Sequence, residues 1–246
     1  MASNRLPPVC VLAGGLGQRL GALTAATPKP LLEVAGEPFL IHQLRQLAAT
    51  GTERVVLCVG YLGQQIEARL GSSQFGIAIS YSYDGPELEG TLGAIRRAAP
   101  LLDDRFLVLY GDTYLRVNYE RFVAGWVASK LPAAMTVLRN DGQWGTSNVV
   151  FAAERVVRYE KGSPDPEMRW IDYGLGGLTP DALSHVDAST KDLAELQRTL
   201  ARKGRLFGFE VFDRFYEIGS PEALAETETF LASNDADPGP ALQPRS

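Results

Sequence analysis

Apolar residues along the chain gather into short, nearly unbroken runs: Val9-Cys10-Val11-Leu12, Val55 to Val59, Ile77 to Tyr83, Phe106 to Tyr110 and Ala133 to Leu138. Runs of this kind suit strands buried on both faces of a largely parallel sheet. Between them the period lengthens. Pro38 to Ala49 brings Phe39, Leu40, Leu44 and Leu47 to one side, and Gly51 closes the segment as glycine commonly closes a helix. Leu62 to Leu70, Thr91 to Ala99 and Tyr119 to Ser129 read the same way. The first two-thirds is thus a β-α-β alternation, which predicts an α/β layered fold with a mostly parallel central sheet.

Past residue 140 the pattern changes to closely spaced strands, Asn148 to Phe151 and Val156 to Glu160, which predict a small antiparallel flanking sheet. A helix from Lys191 to Lys203 ends at Gly204, and Arg205 to Tyr216 is strand-rich. Ser220-Pro221-Glu222 opens a last helix, with Ser as N-cap and Pro in the first turn. Ser233 to Ser246 is rich in Pro, Asp and Ala and poor in large apolar residues, so disorder is expected there. One domain over residues 7–232 is expected, without internal repeats.

Composition narrows the field. With 246 residues, 45% of them hydrophobic and 22% charged, the chain can bury the core of a large domain. A net charge of -5 speaks against general nucleic-acid binding, so any phosphate site is a local basic cluster. No apolar stretch reaches the roughly 18 residues of a membrane helix, and Met1 to Pro8 lacks a signal-peptide core; a cytoplasmic protein without membrane partners is expected. Cys10 and Cys58 lie in apolar runs without metal-like spacing and read as buried free thiols.

Candidate chemistry begins directly after the first apolar run, at Leu12-Ala13-Gly14-Gly15-Leu16-Gly17-Gln18-Arg19-Leu20. Glycines there let the backbone approach a phosphate chain and donate successive amides to it. A loose dinucleotide fingerprint is the rival reading, but no acidic residue closes a second strand about 20 residues on. No Gly-Lys-Ser/Thr follows, which excludes a Walker loop. Thr27-Pro28-Lys29-Pro30-Leu31 comes next, so Arg19 and Lys29 flank the loop across an otherwise uncharged stretch. A guanidinium fork and an ammonium point charge beside a glycine loop make a triphosphate site.

With its Gly-Gly-x-Gly-x-Arg-Leu loop and Pro-Lys-Pro-Leu segment, the chain resembles the sugar-phosphate nucleotidyltransferases, over about Val9 to Phe230. The resemblance implies a Rossmann-like three-layer α/β/α fold and condensation of a nucleoside triphosphate with a sugar 1-phosphate, giving a nucleotide sugar and pyrophosphate. It implies that Leu12, Ala13, Gly14, Gly15 and Gly17 hold the nucleotide while Arg19 and Lys29 neutralise the departing pyrophosphate. Glu87 to Ala94, with Gly90 and Thr91 before a helix, looks like the base-binding turn, and departs from it at Leu92. Asp112, after the run Phe106 to Tyr110, sits where α/β sheets bind ligands and is a magnesium candidate. The second metal carboxylate of the family falls at Glu217 in Tyr216-Glu217-Ile218-Gly219, where the family has Asp.

On the sugar side the resemblance places Glu160 on sugar hydroxyls, Lys161 on the 1-phosphate, and Gly145 and Gly174 against the sugar. Asp172 stands where Asn is usual, an acceptor in place of a donor and acceptor. The segment Gly36-Glu37-Pro38-Phe39-Leu40 is similar to short members near heptose 1-phosphate guanylyltransferases, which implies GTP and a heptose or related acceptor. Longer members append a further domain; this chain ends soon after its closing helix and is expected to be monofunctional. Rivals are a glycosyltransferase of the related α/β type, whose Asp-x-Asp is missing at Asp112-Thr113-Tyr114, and a non-catalytic subunit sensing nucleotide sugars, whose mark would be loss of Arg19 or Lys29. His42, His185 and Trp126 read as structural, while Trp144 and Trp170 border the expected sugar site. Nothing in the pattern selects between a monomer and a homo-oligomer.

Overall fold

The computed structural model describes residues 5–85, 89–162 and 165–233. Glu87 and the segment 234–246 lie outside the described residues. The chain begins with β1 (Val9–Leu12), passes through a short pair β2 (Glu33–Val34) and β3 (Glu37–Pro38), and enters α1 (Phe39–Ala49). β4 (Arg54–Val59), α2 (Gly63–Leu70), β5 (Ser73–Gln74), β6 (Ile77–Tyr83), α3 (Gly90–Ala98) and β7 (Phe106–Tyr110) follow. Next come β8 (Thr113–Tyr114), α4 (Tyr119–Ser129), β9 (Ala133–Arg139), β10 (Val149–Ala152), β11 (Arg155–Tyr159) and β12 (Trp170–Leu178). The chain then forms α5 (Pro180–Leu183), α6 (Leu193–Arg202), β13 (Leu206–Val211), β14 (Tyr216–Glu217) and α7 (Pro221–Ala232). At Ser220 the hydroxyl accepts from the Ala223 amide at 3.2 Å, the N-cap its sequence position predicts.

Among the described residues one sheet runs in the order β10-β11-β13-β9-β12-β7-β1-β4-β6-β5. β7, β1, β4 and β6 pair in parallel, as does β13 with β9. The sheet is nevertheless mixed, which corrects the expectation of a mostly parallel one. Antiparallel β12 wedges between β7 and β9, and its three glycines hide the apolar alternation that would have announced it. The hairpin β10–β11 joins the same sheet through β13 and is no separate flanking sheet.

Alternation along the central strands builds the layers. Val9, Val11, Leu57 and Leu109 face one side, where they pack with Leu44 of α1, Ile66 of α2 and Trp126 of α4. Cys10, Val56, Cys58 and Val108 face the other, against Ile95 of α3 and Leu196 of α6. Both layers bury whole apolar faces, which drives the assembly at about 25 cal/mol per Å² of apolar surface. The cysteines are free, with Sγ atoms 3.4 Å apart. The hydrogen bond with Cys58, aided by burial, holds the Cys10 thiol protonated well above its ordinary range. Trp126 is fully buried and donates its Nε1–H to Leu131 O at 2.9 Å, the core role expected of it. No helix among the described residues is long and apolar enough to cross a membrane.

Candidate active site

Parallel strands β6, β4, β1 and β7 deliver their carboxyl ends to one rim, and a cavity of about 270 Å³ opens there. Leu12, Ala13, Gly14 and Gly15 line it from the turn after β1, Gly90 and Thr91 from the start of α3, and Lys29 and Asp112 from the opposite loops. Gly17 and Arg19, also expected at the nucleotide, lie farther along the same loop and are not among the residues lining the cavity. Gly17 has φ of 61° and a side chain there would meet Thr24 at 2.7 Å, so only glycine turns the loop so tightly. Gly90 is equally constrained, with φ of 71° and Lys191 O at 2.5 Å from where a Cβ would stand. The Thr91 hydroxyl accepts from the Leu193 amide at 2.8 Å and donates to Asp192 at 3.2 Å, docking α3 onto the N-terminus of α6.

Lys29 is 8% exposed, and its ammonium donates to Asp112 Oδ2 at 2.5 Å. A buried cation needs such a partner. β14 pairs with β8 so that Glu217 stands opposite Thr113, and the Ile218 amide donates to Asp112 O at 3.0 Å. That pairing sets Glu217 beside Asp112. Burial first, and then the Asp112 charge, push the Glu217 carboxyl above its ordinary range, while Lys29 and Arg19 oppose the shift. Arg19 reaches the same point, its Nη2 3.0 Å from where a side chain on Gly219 would begin. Two carboxylates and two cations therefore converge at one end of the cavity. Among the described residues no group of three or more His, Cys, Asp or Glu could hold a metal. Two carboxylates straining against each other, with phosphate and water supplying the remaining ligands, fit magnesium's mode of binding.

The residues expected on the sugar side gather at β10, β11 and β12. β12 bulges between Asp172 and Gly176, and Gly174 donates its amide to Asp172 Oδ1 at 3.1 Å. Bulges of this sort re-aim side chains beside sites. Asp172 accepts weakly from the Tyr159 hydroxyl at 3.4 Å, and its amide donates to Asn148 Oδ1 at 2.8 Å. Burial pushes its carboxyl up to about 6, against the pull of the Gly174 amide and Lys161. Lys161 is exposed. Gly145 belongs to a turn organised by buried Asn140, which donates to Gly145 O at 2.9 Å.

Glu160, expected on sugar hydroxyls, is already engaged by cations of α6. Arg198 of α6 lies 2.6 Å from its carboxylate and Arg202 lies 3.6 Å away, so any sugar hydroxyl shares Glu160 with a cation. Trp170 is engaged too: its Nε1–H donates to Glu210 at 2.8 Å and its ring packs edge-on against Phe151. Trp144 packs against the core. His42 Nε2 pairs with Val34 O at 2.8 Å, a structural role. Sequence reading missed Asp84, which lines the cavity without belonging to a motif, and took Tyr110, which also lines it, only as the end of a strand.

A raised carboxyl has a stability consequence. Between the unfolded value near 4 and the folded value of about 6 the native state binds the extra proton, so stability falls as pH rises through that window. Asp172→Asn is expected to abolish this slope. The melting temperature of the variant minus that of the wild type should grow from pH 4 to pH 7; a difference independent of pH would refute it.

A family model described as "Nucleotidyl transferase" matches residues 9–146. The chain is 32% identical over 233 residues to the N-acetylmuramate alpha-1-phosphate uridylyltransferase of Neisseria meningitidis serogroup B, covering 91% of this chain and 97% of that protein. It is 28% identical over 220 residues to the mannose-1-phosphate guanylyltransferase catalytic subunit beta of Xenopus tropicalis, covering 86% of this chain. It spans only 61% of that relative's length. Among solved structures, HddC from Yersinia pseudotuberculosis superposes with a TM-score of 0.77 at 24% identity, covering 91% of this chain and 99% of that one. That likeness establishes a shared α/β fold.

Proposed function

The chain belongs to the nucleotidyl transferase family, and on that premise we propose that it condenses a nucleoside triphosphate with a sugar 1-phosphate, releasing pyrophosphate. The convergence of Lys29, Arg19, Asp112 and Glu217 at one end of a glycine-lined cavity carries the reading. An oxygen of the sugar 1-phosphate attacks the α-phosphorus in line, the α–β bridging bond breaks, and pyrophosphate leaves. Both reactants are anions, so positioned cations and amides supply most of the acceleration. Amides of Gly14 and Gly15 cradle the triphosphate, Lys29 and Arg19 neutralise the departing charge, and Lys161 holds the acceptor phosphate. Asp112 and Glu217 would hold magnesium, which supplies charge neutralisation between the reacting phosphates.

The finer reading is GTP with a heptose or related sugar 1-phosphate, for glycan or glycosylated-metabolite synthesis. Relatives named as guanylyltransferases support GTP, and the uridylyltransferase makes UTP its principal competitor. Asp172, an acceptor where the family resemblance has an amide, supports an acceptor with a hydroxyl pattern other than glucose. Pyrophosphate release across four triphosphates and a panel of hexose and heptose 1-phosphates tests both levels. Turnover with none of them would overturn the function; turnover with another base or sugar would overturn only the finer reading. Lys161→Ala is expected to raise KM for the sugar phosphate about tenfold or more, with KM for the triphosphate nearly unchanged. Equal loss for both substrates in steady-state kinetics would remove Lys161 from the acceptor site.

A further inference from the structure

Two glutamines interrupt the apolar face of α1. Gln43 and Gln46 stand three residues apart beside Leu40, Leu44 and Leu47, and both are buried, Gln43 completely. An amide inside a core is costly unless it is matched. Gln43 directs both of its amide hydrogens at one short segment: Nε2 donates to Tyr110 O and to Thr113 O, each at 2.8 Å. Carbonyl oxygens only accept, so the nitrogen must be the atom that faces them. Gln46 donates to Leu115 O a little farther along. Yet among the described residues no donor reaches Gln43 Oε1, which leaves the side chain half satisfied. An apolar residue of similar length would avoid that penalty, so the two donated bonds point to a task other than stability.

Tyr110 closes β7, Thr113 opens β8, and only Gly111 and Asp112 lie between them. One nitrogen bound to both carbonyls therefore pins the two ends of the turn that carries Asp112. The Gly111 amide donates to Leu12 O at 2.9 Å and ties this turn to β1, while the Ile218 amide donates to Asp112 O at 3.0 Å and ties it to the strand of Glu217. On the carboxylate itself, Oδ2 receives Lys29 and Oδ1 receives the Thr113 hydroxyl at 3.1 Å. Thr113 belongs to the same clamped segment, so the aim of the carboxylate follows the backbone of the turn. Magnesium tolerates little error in ligand distances of about 2.0–2.1 Å.

Resting on the nucleotidyl transfer reading and its metal pair Asp112 and Glu217, we propose that Gln43 is a positioning residue that clamps the Gly111-Asp112 turn and so aims the Asp112 carboxylate at magnesium. Gln43→Met, similar in volume and free of unmatched polar atoms, tests this in the intact protein. Manganese binding followed by paramagnetic resonance should weaken about tenfold and kcat should fall by about the same factor. KM for the sugar phosphate should stay within about threefold, and the melting temperature should move by only a few degrees. In Asp112→Asn, which already lacks the aimed charge, adding Gln43→Met should lower kcat by less than about a further twofold. Losses that multiply in the double variant would make Gln43 a merely structural residue and overturn the proposal. Gln43→Asn keeps an amide that is one methylene too short to hold both carbonyls; it should fall between the wild type and Gln43→Met, and it supplies the same readout if the methionine variant does not fold. Manganese binding and turnover equal to wild type in the folded variant would overturn the positioning role and leave nucleotidyl transfer standing. A wild type that neither binds manganese nor releases pyrophosphate from any triphosphate would overturn both readings together.

Discussion

Lys29→Met is expected to lower kcat/KM for pyrophosphate release by about a thousandfold. The ammonium is 8% exposed and 2.5 Å from Asp112 Oδ2, in a cavity whose other nearby charges include Glu217. Take the ammonium away and two carboxylates confront the triphosphate. One unit charge at about 4 Å and an effective dielectric near 20 is worth about 4 kcal/mol, and that is of the order of a thousandfold in rate. Methionine fills similar volume, and Asp112 keeps 31% of its side chain exposed, so its charge can be rehydrated. Activity should therefore collapse while the melting temperature moves by only a few degrees. Loss of activity below tenfold, in a variant with an unchanged unfolding curve, would remove Lys29 from the reacting phosphates.

Glu217→Ala is the second. Thr227 Oγ1 donates to Glu217 O at 2.6 Å and β14 holds the strand, so the backbone stays in place when the side chain is cut. What disappears is one of two carboxylates proposed to hold magnesium. Turnover should fall by about a hundredfold, and the magnesium concentration for half-maximal rate should rise tenfold or more. Manganese binding followed by paramagnetic resonance should weaken in parallel. Because burial and Asp112 lift the Glu217 carboxyl, wild-type metal affinity should fall with decreasing pH starting above the ordinary glutamate range. The variant should lose that inflection. Unchanged turnover and magnesium dependence would leave Glu217 a structural residue of the β8–β14 pair.

The two variants draw on features of unequal visibility. Lys29 stood in a segment whose spacing from the glycine loop already announced a phosphate site. Glu217 was visible through family resemblance, but its approach to Asp112 is made by a two-residue strand pair that no local pattern announces. Asp84 and the Arg198–Glu160 pair carried no signal at all: each depends on elements distant in the chain meeting at one point. β12 failed for a different reason. Its Tyr173 and Leu175 are buried in alternation, but glycines at 174, 176 and 177 replace the β-branched residues that make a strand legible.

Sequence alone determined the elements whose apolar period is long and clean. β1, β6, β7 and α4 have the predicted bounds, and Ser220 caps the last helix. These follow from covalent geometry and from which side chains leave water, and both act within a few residues. Only the tertiary structure decided that β12 enters antiparallel, that the β10–β11 hairpin extends the main sheet, and that Glu217 lies beside Asp112 while Asp84 lines the cavity. Strand order is settled by how non-local faces pack, and a sequence period is the same whichever neighbour a strand finds.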